Sequence, residues 1–304
     1  MMKNTIEDVN WSEGFYNNIP DLKNALEHRA SSNKPMDNFN LKNANLANIN
    51  LVNRGSTEGY SLTNSDLYKA NFEGSHCFKL NLSGSSLMKA NFENANLHFA
   101  DLRGCNLLGA KFKNAKLENV LWDSEIIQEQ QAKLTDSHEE QIDLYQQSEE
   151  IYRNLRKICE EDGLFETAGN FFQSEMKMRR KQMPKNSLKR FVSKIVEFSC
   201  GYGELPFRII MLSFMIIAFF AFVFFLSGLQ MGSEVISLSN STTSYEFVFN
   251  FLNSLYFSVV TFTTLGYGDI LPIGISKLFA SIEALLGGFI LALFVVTFVK
   301  KMTR

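Results

Sequence analysis

The chain is poor in the groups that do chemistry. Among 304 residues there are four cysteines and four histidines. Cys77, Cys105, Cys159 and Cys200 show no CxxC spacing, and His28, His76, His98 and His138 form no ligand pattern. A disulfide framework and a zinc site are therefore excluded, and reduced thiols are the expectation. There is no nucleophile elbow, phosphate-binding loop or HExxH helix, so the chain does not read as an enzyme. Its opening, MMKNTIEDVNWSEGF, lacks the apolar run and cleavage site of a secretory signal, which starts the polar half in the cytoplasm. Aromatics are unevenly spread, because 18 of the 28 phenylalanines follow residue 190. A polar half is joined to a greasy one.

The polar half keeps a beat of five. Leu62, Leu67, Phe72, Cys77, Leu82, Leu87, Phe92, Leu97, Leu102, Leu107, Phe112, Leu117 and Trp122 share one phase. Most are preceded two positions earlier by a small residue such as Ala70, Ser85 or Ala95. Leu41, Leu46 and Leu51 run one step out of phase, as if one residue were inserted around Asn53 to Gly59. A period of five fits neither a lone helix nor a lone strand, and a fixed short repeat indicates stacked coils. The pattern resembles the pentapeptide-repeat family over residues 39–122. That resemblance implies a right-handed, four-sided β-helix, with the large residue and the small one before it pointing inward. Cys77 and Cys105 fall on inward positions and read as core. Between Leu41 and Trp122, nine basic residues face six acidic ones. A mimic of acidic nucleic acid needs the opposite balance, and no nucleic-acid partner is expected.

Residues 124–182 are rich in Glu, Gln, Lys and Leu. Leu144, Ile151, Leu155 and Ile158 sit at helical spacing, Asp162-Gly163 signals a turn, and Phe165, Ala168, Phe172 and Met176 continue in a second helix. This predicts an α-helical hairpin serving as a spacer or as packing between subunits. Leu188, Phe191, Ile195 and Phe198 then share one face of a short basic helix, suited to the membrane interface. The first GYG, Gly201 to Gly203, has no apolar span before it and reads as a turn.

Ile209 to Ser233 is 25 residues without a charge, and Leu278 to Val299 is 22 residues with Glu283 as the one exception. A bilayer core takes about 20 helical residues, so both runs are long enough to span. Nine basic residues lie between Lys177 and Arg208, whereas Lys277 alone is basic between residues 234 and 277. The positive-inside rule places both termini in the cytoplasm, with the chain in the plasma or inner membrane. Phe247 to Phe262 is apolar but too short to cross, and it leads into the glycine-rich stretch TFTTLGYGDILP. That reads as a re-entrant half-helix and loop, because irregular backbone at membrane depth survives only where it is buried or lines a wet cavity.

Over residues 187–304 the chain resembles a two-span potassium channel subunit. The motif TTLGYGD, Thr263 to Asp269, differs from that family's TTVGYGD only by Leu265. The resemblance implies a selectivity filter binding K⁺, the permeant ion, through Thr264, Leu265, Gly266, Tyr267 and Gly268, with Asp269 at the outer mouth. Thr263, Tyr256 and Phe257 are expected to support the filter. Glu283 is expected to brace it in place of the carboxylate that some relatives carry where this chain has Val260. Gly287 and Gly288 occupy the hinge position of the inner helix, where bending or close helix packing are both open. One chain supplies one strip of carbonyls, so three identical subunits must complete a homotetramer. The expected architecture is a multidomain membrane protein. Residues 1–38 form an N-terminal segment, 39–122 the β-helix, 123–186 the helical connector, 187–206 the interfacial helix and junction, and 207–304 the pore domain. Control is expected to enter through the N-terminal half, where a cytoplasmic protein or ligand has room to act. A weakly selective cation channel and a membrane-anchored scaffold with a vestigial pore are the rival readings.

Overall fold

A computed structural model describes residues 11–12, 21–55, 57, 59–241 and 243–303, and divides the chain into two units, Met1–Arg190 and Phe191–Arg304. Apart from Trp11 and Ser12, the stretch read for a signal sequence lies outside the described residues.

In the first unit the five-residue repeat is written in backbone conformation. The asparagine opening a repeat accepts from the N–H two residues on, as Asn71 does from Glu73 and Asn91 from Glu93, both at 3.1 Å. Such side-chain turns are what asparagine does readily. From Asn64 to Asn119 every fifth residue has positive φ, among them Asn64 (50°), Gly84 (72°) and Asn94 (59°). Each is a corner. Parallel bridges join Ser61 to Asn81, Asn81 to Asp101 and Asp101 to Leu121, so the coil closes every four repeats and has four sides. Phe72, Phe92 and Phe112 stack down its axis with ring centroids 4.9 and 5.5 Å apart. The small residue two positions earlier in each repeat, such as Ala70, Ala90 or Ala95, is fully buried beside them. Cys77 and Cys105 are buried too, and burial pushes both thiols up to about 12.

The phase slip proves larger than one residue. Asn45 pairs with Asn71 across 26 positions, where Asn71 pairs with Asn91 across 20. The first coil thus carries six extra residues between Asn50 and Ser61. One repeat plus one residue looks like a slip of one, because a period of five hides whole repeats.

Both ends of the solenoid are covered, which stacked repeats require to keep apolar surface out of water. Helix α1 (Leu22–Ser31) buries Ala25, Leu26 and Ala30 on the first coil, and Glu27 Oε1 accepts from the Asn50 N–H at 2.8 Å. At the other end stand α2 (Ile127–Leu134), α3 (His138–Glu161) and α4 (Phe165–Lys181). Trp122, which follows Leu82 and Leu102 down another side of the coil, meets Phe171 edge-on at 5.4 Å, and Gln128 donates to Asn106 at 2.7 Å. The hairpin α3–α4, expected as a spacer, shares one continuous core with the solenoid. A chain of ion pairs fixes its register. Glu175, nearly buried, accepts from Arg156 at 2.8 Å and Arg153 at 3.3 Å, and Arg179 reaches Glu149 at 3.1 Å.

The second unit begins within α5 (Leu188–Cys200), whose Leu188, Phe191, Ile195 and Phe198 all lie exposed. A 3₁₀ turn at Gly201–Gly203 follows, then α6 (Pro206–Ser227). The charge-free run from Ile209 to Ser233 is helical only as far as Ser227, because Gly228, with φ of 89°, leaves the helix. Its remainder forms strand β1 (Leu229–Met231), which turns back into β2 (Glu234–Ile236). Helix α7 (Ser244–Phe262) starts three residues before the apolar run because Thr243 and Glu246 form a capping box. Strand β3 (Ile270–Pro272) pairs antiparallel with β1, and α8 (Ser276–Met302) follows it. Helix α7 packs against both α6 and α8.

Phe92→Ala is expected to destabilise the first unit by about 3–5 kcal/mol, through lost burial and a cavity in the stack. Lys89, a corner residue with φ of 58°, carries strain that asparagine tolerates better. Lys89→Asn should stabilise by about 0.5–1 kcal/mol. Thermal unfolding of the purified full chain measures both.

Candidate functional site

The loop at 263–269 grows from the C-terminus of α7 without a break in hydrogen bonding. The Thr263 N–H donates to Val259 O at 3.0 Å, the Thr263 hydroxyl to the same carbonyl at 2.7 Å, and the Leu265 N–H to Val260 O at 3.0 Å. Beyond this tether every second residue takes the left-handed region. Thr264 has φ of 58°, Gly266 of 58° and Gly268 of 79°, whereas Leu265 and Tyr267 do not have positive φ. Alternating hand along a chain turns successive carbonyls to the same side. Glycine accepts that conformation readily, but for a β-branched residue it is an outlier. Thr264 is therefore held in strain, and such strain persists where surrounding structure imposes it. The glycines' alternation was legible in the sequence; Thr264 joining it was not. A Cβ on Gly266 or Gly268 would meet nothing within 4 Å, and Leu265 and Tyr267 are 59% and 67% exposed.

The loop is held at its far end as well. Tyr256 donates to Asp269 at 2.9 Å, and β3 follows directly to pair with β1. Ser276 Oγ donates to Gly228 O at 2.7 Å and so ties the start of α8 to the end of α6. Phe257 does something other than pack against the loop. It is buried edge-on against Phe224 of α6 at 4.9 Å, and it sets the helix rather than the loop. Val260 is buried as well.

Glu283 is fully buried on α8. The Ser258 hydroxyl, also fully buried, donates to Glu283 Oε1 and lies 2.9 Å from Ile217 O of α6. Three helices thus meet at one hydroxyl. Glu283 braces the body of α7, and its Oε2 has no hydrogen-bond partner among the described residues. Sequence reasoning passed over Ser258; a lone serine in an apolar helix carries no signal until its neighbours are known.

The glycine pair divides. At Gly287 an added Cβ would lie 2.0 Å from Phe262 O, so α8 and the end of α7 touch backbone to backbone. At Gly288 it would meet nothing within 4 Å. Helix α8 runs unbroken through both. Among the described residues no group of three or more His, Cys, Asp or Glu side chains is placed to hold a metal ion.

Helices α6 and α8 are each long and apolar enough to cross a membrane. Only 28% and 22% of their most apolar windows are buried by the rest of the chain, unlike core helices of a soluble protein.

Gly287→Ala should force α8 off α7 and lower the melting temperature of the detergent-solubilised protein, while Gly288→Ala should leave it unchanged. Ser258→Ala and Glu283→Ala should each lower the melting temperature of the detergent-solubilised protein. The double variant should fall short of their sum, with a coupling of about 0.5–3 kcal/mol.

Comparison with known families matches residues 210–304 to the family described as ion channel, and residues 65–107 and 81–119 to pentapeptide repeats, in eight copies. Among solved structures, a pentapeptide repeat protein from the cyanobacterium Cyanothece 51142 is 29% identical over 30% of this chain and 58% of its own, with a TM-score of 0.27. HetL, a pentapeptide repeat protein involved in heterocyst differentiation regulation from Nostoc sp. strain PCC 7120, is 28% identical over 28% of this chain and 39% of its own, with a TM-score of 0.18. A pentapeptide repeat protein from the Arabidopsis thaliana thylakoid lumen is 20% identical over 34% of this chain and 77% of its own, with a TM-score of 0.13. This chain thus spans less than two thirds of either cyanobacterial protein. A comparison with curated proteins finds no match. The chain is a membrane protein that joins a pentapeptide-repeat solenoid to an ion-channel segment at residues 210–304.

Proposed function

We propose that the chain is one subunit of a potassium-selective channel that works as a homotetramer. The observation carrying this reading is the alternation of backbone hand at Thr264, Gly266 and Gly268 in a loop tethered at both ends. Stacked rings of carbonyls that replace the hydration shell are how potassium channels select their ion. In this reading the carbonyls of Thr264, Leu265, Gly266 and Tyr267, with the Thr264 hydroxyl, form those rings, and Gly268 carries the turn out to Asp269. A single strip surrounds nothing. Four copies about one axis are needed to enclose a dehydrated ion, and the exposed flank of the loop supports that arrangement.

The half-helix α7 adds electrostatic help, since its C-terminal carbonyl end, the negative pole, points into the loop. Tyr256 fixes Asp269 at the outer end, and Glu283 with Ser258 holds α7 between the two spans. Gly288 has the free space a bending helix needs, and bending there opens the inner mouth. The solenoid–hairpin unit is the regulatory half, acting on the pore through residues 187–206. The distribution of basic residues supports cytoplasmic placement of both termini.

Purified protein in liposomes should carry K⁺ or Rb⁺ flux that Ba²⁺ blocks. Reversal potentials with K⁺ on one side and Na⁺ on the other should lie near the K⁺ equilibrium value. Gly266→Asp, which puts a charged side chain on a residue at positive φ, should reduce flux to background. Equal permeability to Na⁺ leaves only a weakly selective cation channel, and a sealed pore under every condition leaves only a scaffold.

A further inference from the structure

The end of α8 is bound to the junction that precedes α6. Lys300 Nζ lies 2.7 Å from Glu204 Oε1, an ion pair between residues 96 positions apart, with side chains 35% and 11% exposed. The junction that presents Glu204 is itself stiff. Tyr202 is held at φ of 57°, a conformation a non-glycine residue rarely adopts, and its hydroxyl bonds to Ser193 of α5 at 2.9 Å. Gly203 follows at φ of 83°, and a Cβ there would sit 3.8 Å from Lys300 Nζ and 3.9 Å from Thr297. The positive φ is what favours glycine there, since a Cβ would make only ordinary contacts with the end of α8. Arg208, on the first turn of α6, donates to Glu197 O at 3.3 Å and closes the corner from the other side. The first GYG is thus a rigid elbow that offers one carboxylate to the inner end of the second span.

We propose that the Glu204–Lys300 pair is a gate latch, which holds α8 straight and the inner mouth closed. It rests on the channel reading above. The outer half of α8 cannot move relative to α7, because Gly287 packs on the Phe262 carbonyl and Glu283 is tied to Ser258. Any bend at Gly288 therefore swings only the inner half, residues 289–302. The last turn of that half carries Lys300, and its partner sits on an elbow that precedes the continuous helix α6, whose own position does not follow the bend. Bending at Gly288 must then either part the pair or drag the elbow and α5 with it. The first gives the latch its effect on the closed state. The second gives α5, and the solenoid unit joined to it, a handle on the gate.

The pair is partly exposed, so each copy shifts an equilibrium by only about 1.4- to 5-fold. Four copies acting on one concerted gate multiply, and the open-to-closed ratio should rise at least about fourfold when the latch is removed. Single-channel recordings of the full chain in planar bilayers provide the readout. Glu204→Lys and Lys300→Glu should each raise open probability, and the charge-swapped double variant should return it towards the starting value. High salt should raise open probability of the unaltered protein and have less effect on Lys300→Gln. Unchanged open probability in both single variants, or additive effects in the double variant, would overturn the proposal. If a charge reversal fails to assemble, Glu204→Gln and Lys300→Gln test the same pair and should raise open probability in the same way. Unitary conductance and reversal potential in the same recordings report on the filter. A loss of K⁺ selectivity would sink the channel assignment at the loop without touching the latch, and an intact selectivity with unaltered gating would sink the latch alone.

Discussion

A peptide carbonyl at membrane depth must find a partner, because hydrocarbon offers none and each unmet group costs several kcal/mol. Inside α6, α7 and α8 the helical ladder supplies that partner, and at the loop after Phe262 it stops. There, alternating backbone hand at Thr264, Gly266 and Gly268 turns carbonyls outward from the helical ladder. The rest of the unit can be understood as what it takes to hold such a segment still. The Thr263 and Leu265 N–H groups tie its start to α7, Tyr256 catches Asp269 at its end, and β3 is stitched to β1 at the top of α6. Glu283 is part of the same scheme. A carboxyl is expensive to bury in a span, and its bond to Ser258 fastens α7 to α8 where apolar packing alone would permit sliding.

The close packing of α8 is confined to part of its length. Gly287 brings α8 against the Phe262 carbonyl, a contact any side chain would destroy, and so pins the first half of the helix to the end of α7. Gly288, one residue on, is unobstructed. Two adjacent glycines thus differ in their surroundings, one in backbone contact with α7 and the other open. The elbow at Gly201–Gly203 lies beside Thr297 and Lys300 near the far end of α8.

The first unit solves a different problem with the same economy of backbone. Its corners recur every five residues, its bridges every twenty, and its core is a column of rings and small side chains. Such a column is indifferent to its own length, so the ends decide its solubility. Helix α1 closes one end, and α2 to α4 close the other through Trp122, Phe171 and Gln128. The hairpin is therefore structural for the solenoid before it is anything for the pore.

Much of this could be read from the chain alone, for physical reasons that differ by element. The repeat was legible because corner and core demands recur at every fifth residue, and a dozen repetitions outweigh any local ambiguity. The spans were legible because hydrocarbon tolerates few polar groups over about 20 residues. The glycines of the loop were legible because positive φ leaves few alternatives. What the sequence could not decide were partnerships between distant residues. Six looped-out residues were indistinguishable from one, since periodicity counts only remainders. Gly228 ended α6 inside an uninterrupted apolar run, because the pairing of β1 with β3 outweighed hydropathy. The meeting of Ser258 with Glu283, of Gly287 with Phe262 and of Glu204 with Lys300 each depends on how three helices cross. Crossing is a matter of side-chain shape at the contact, and no local pattern records it. Composition determined what kind of parts this protein has; packing alone decided which of them touch.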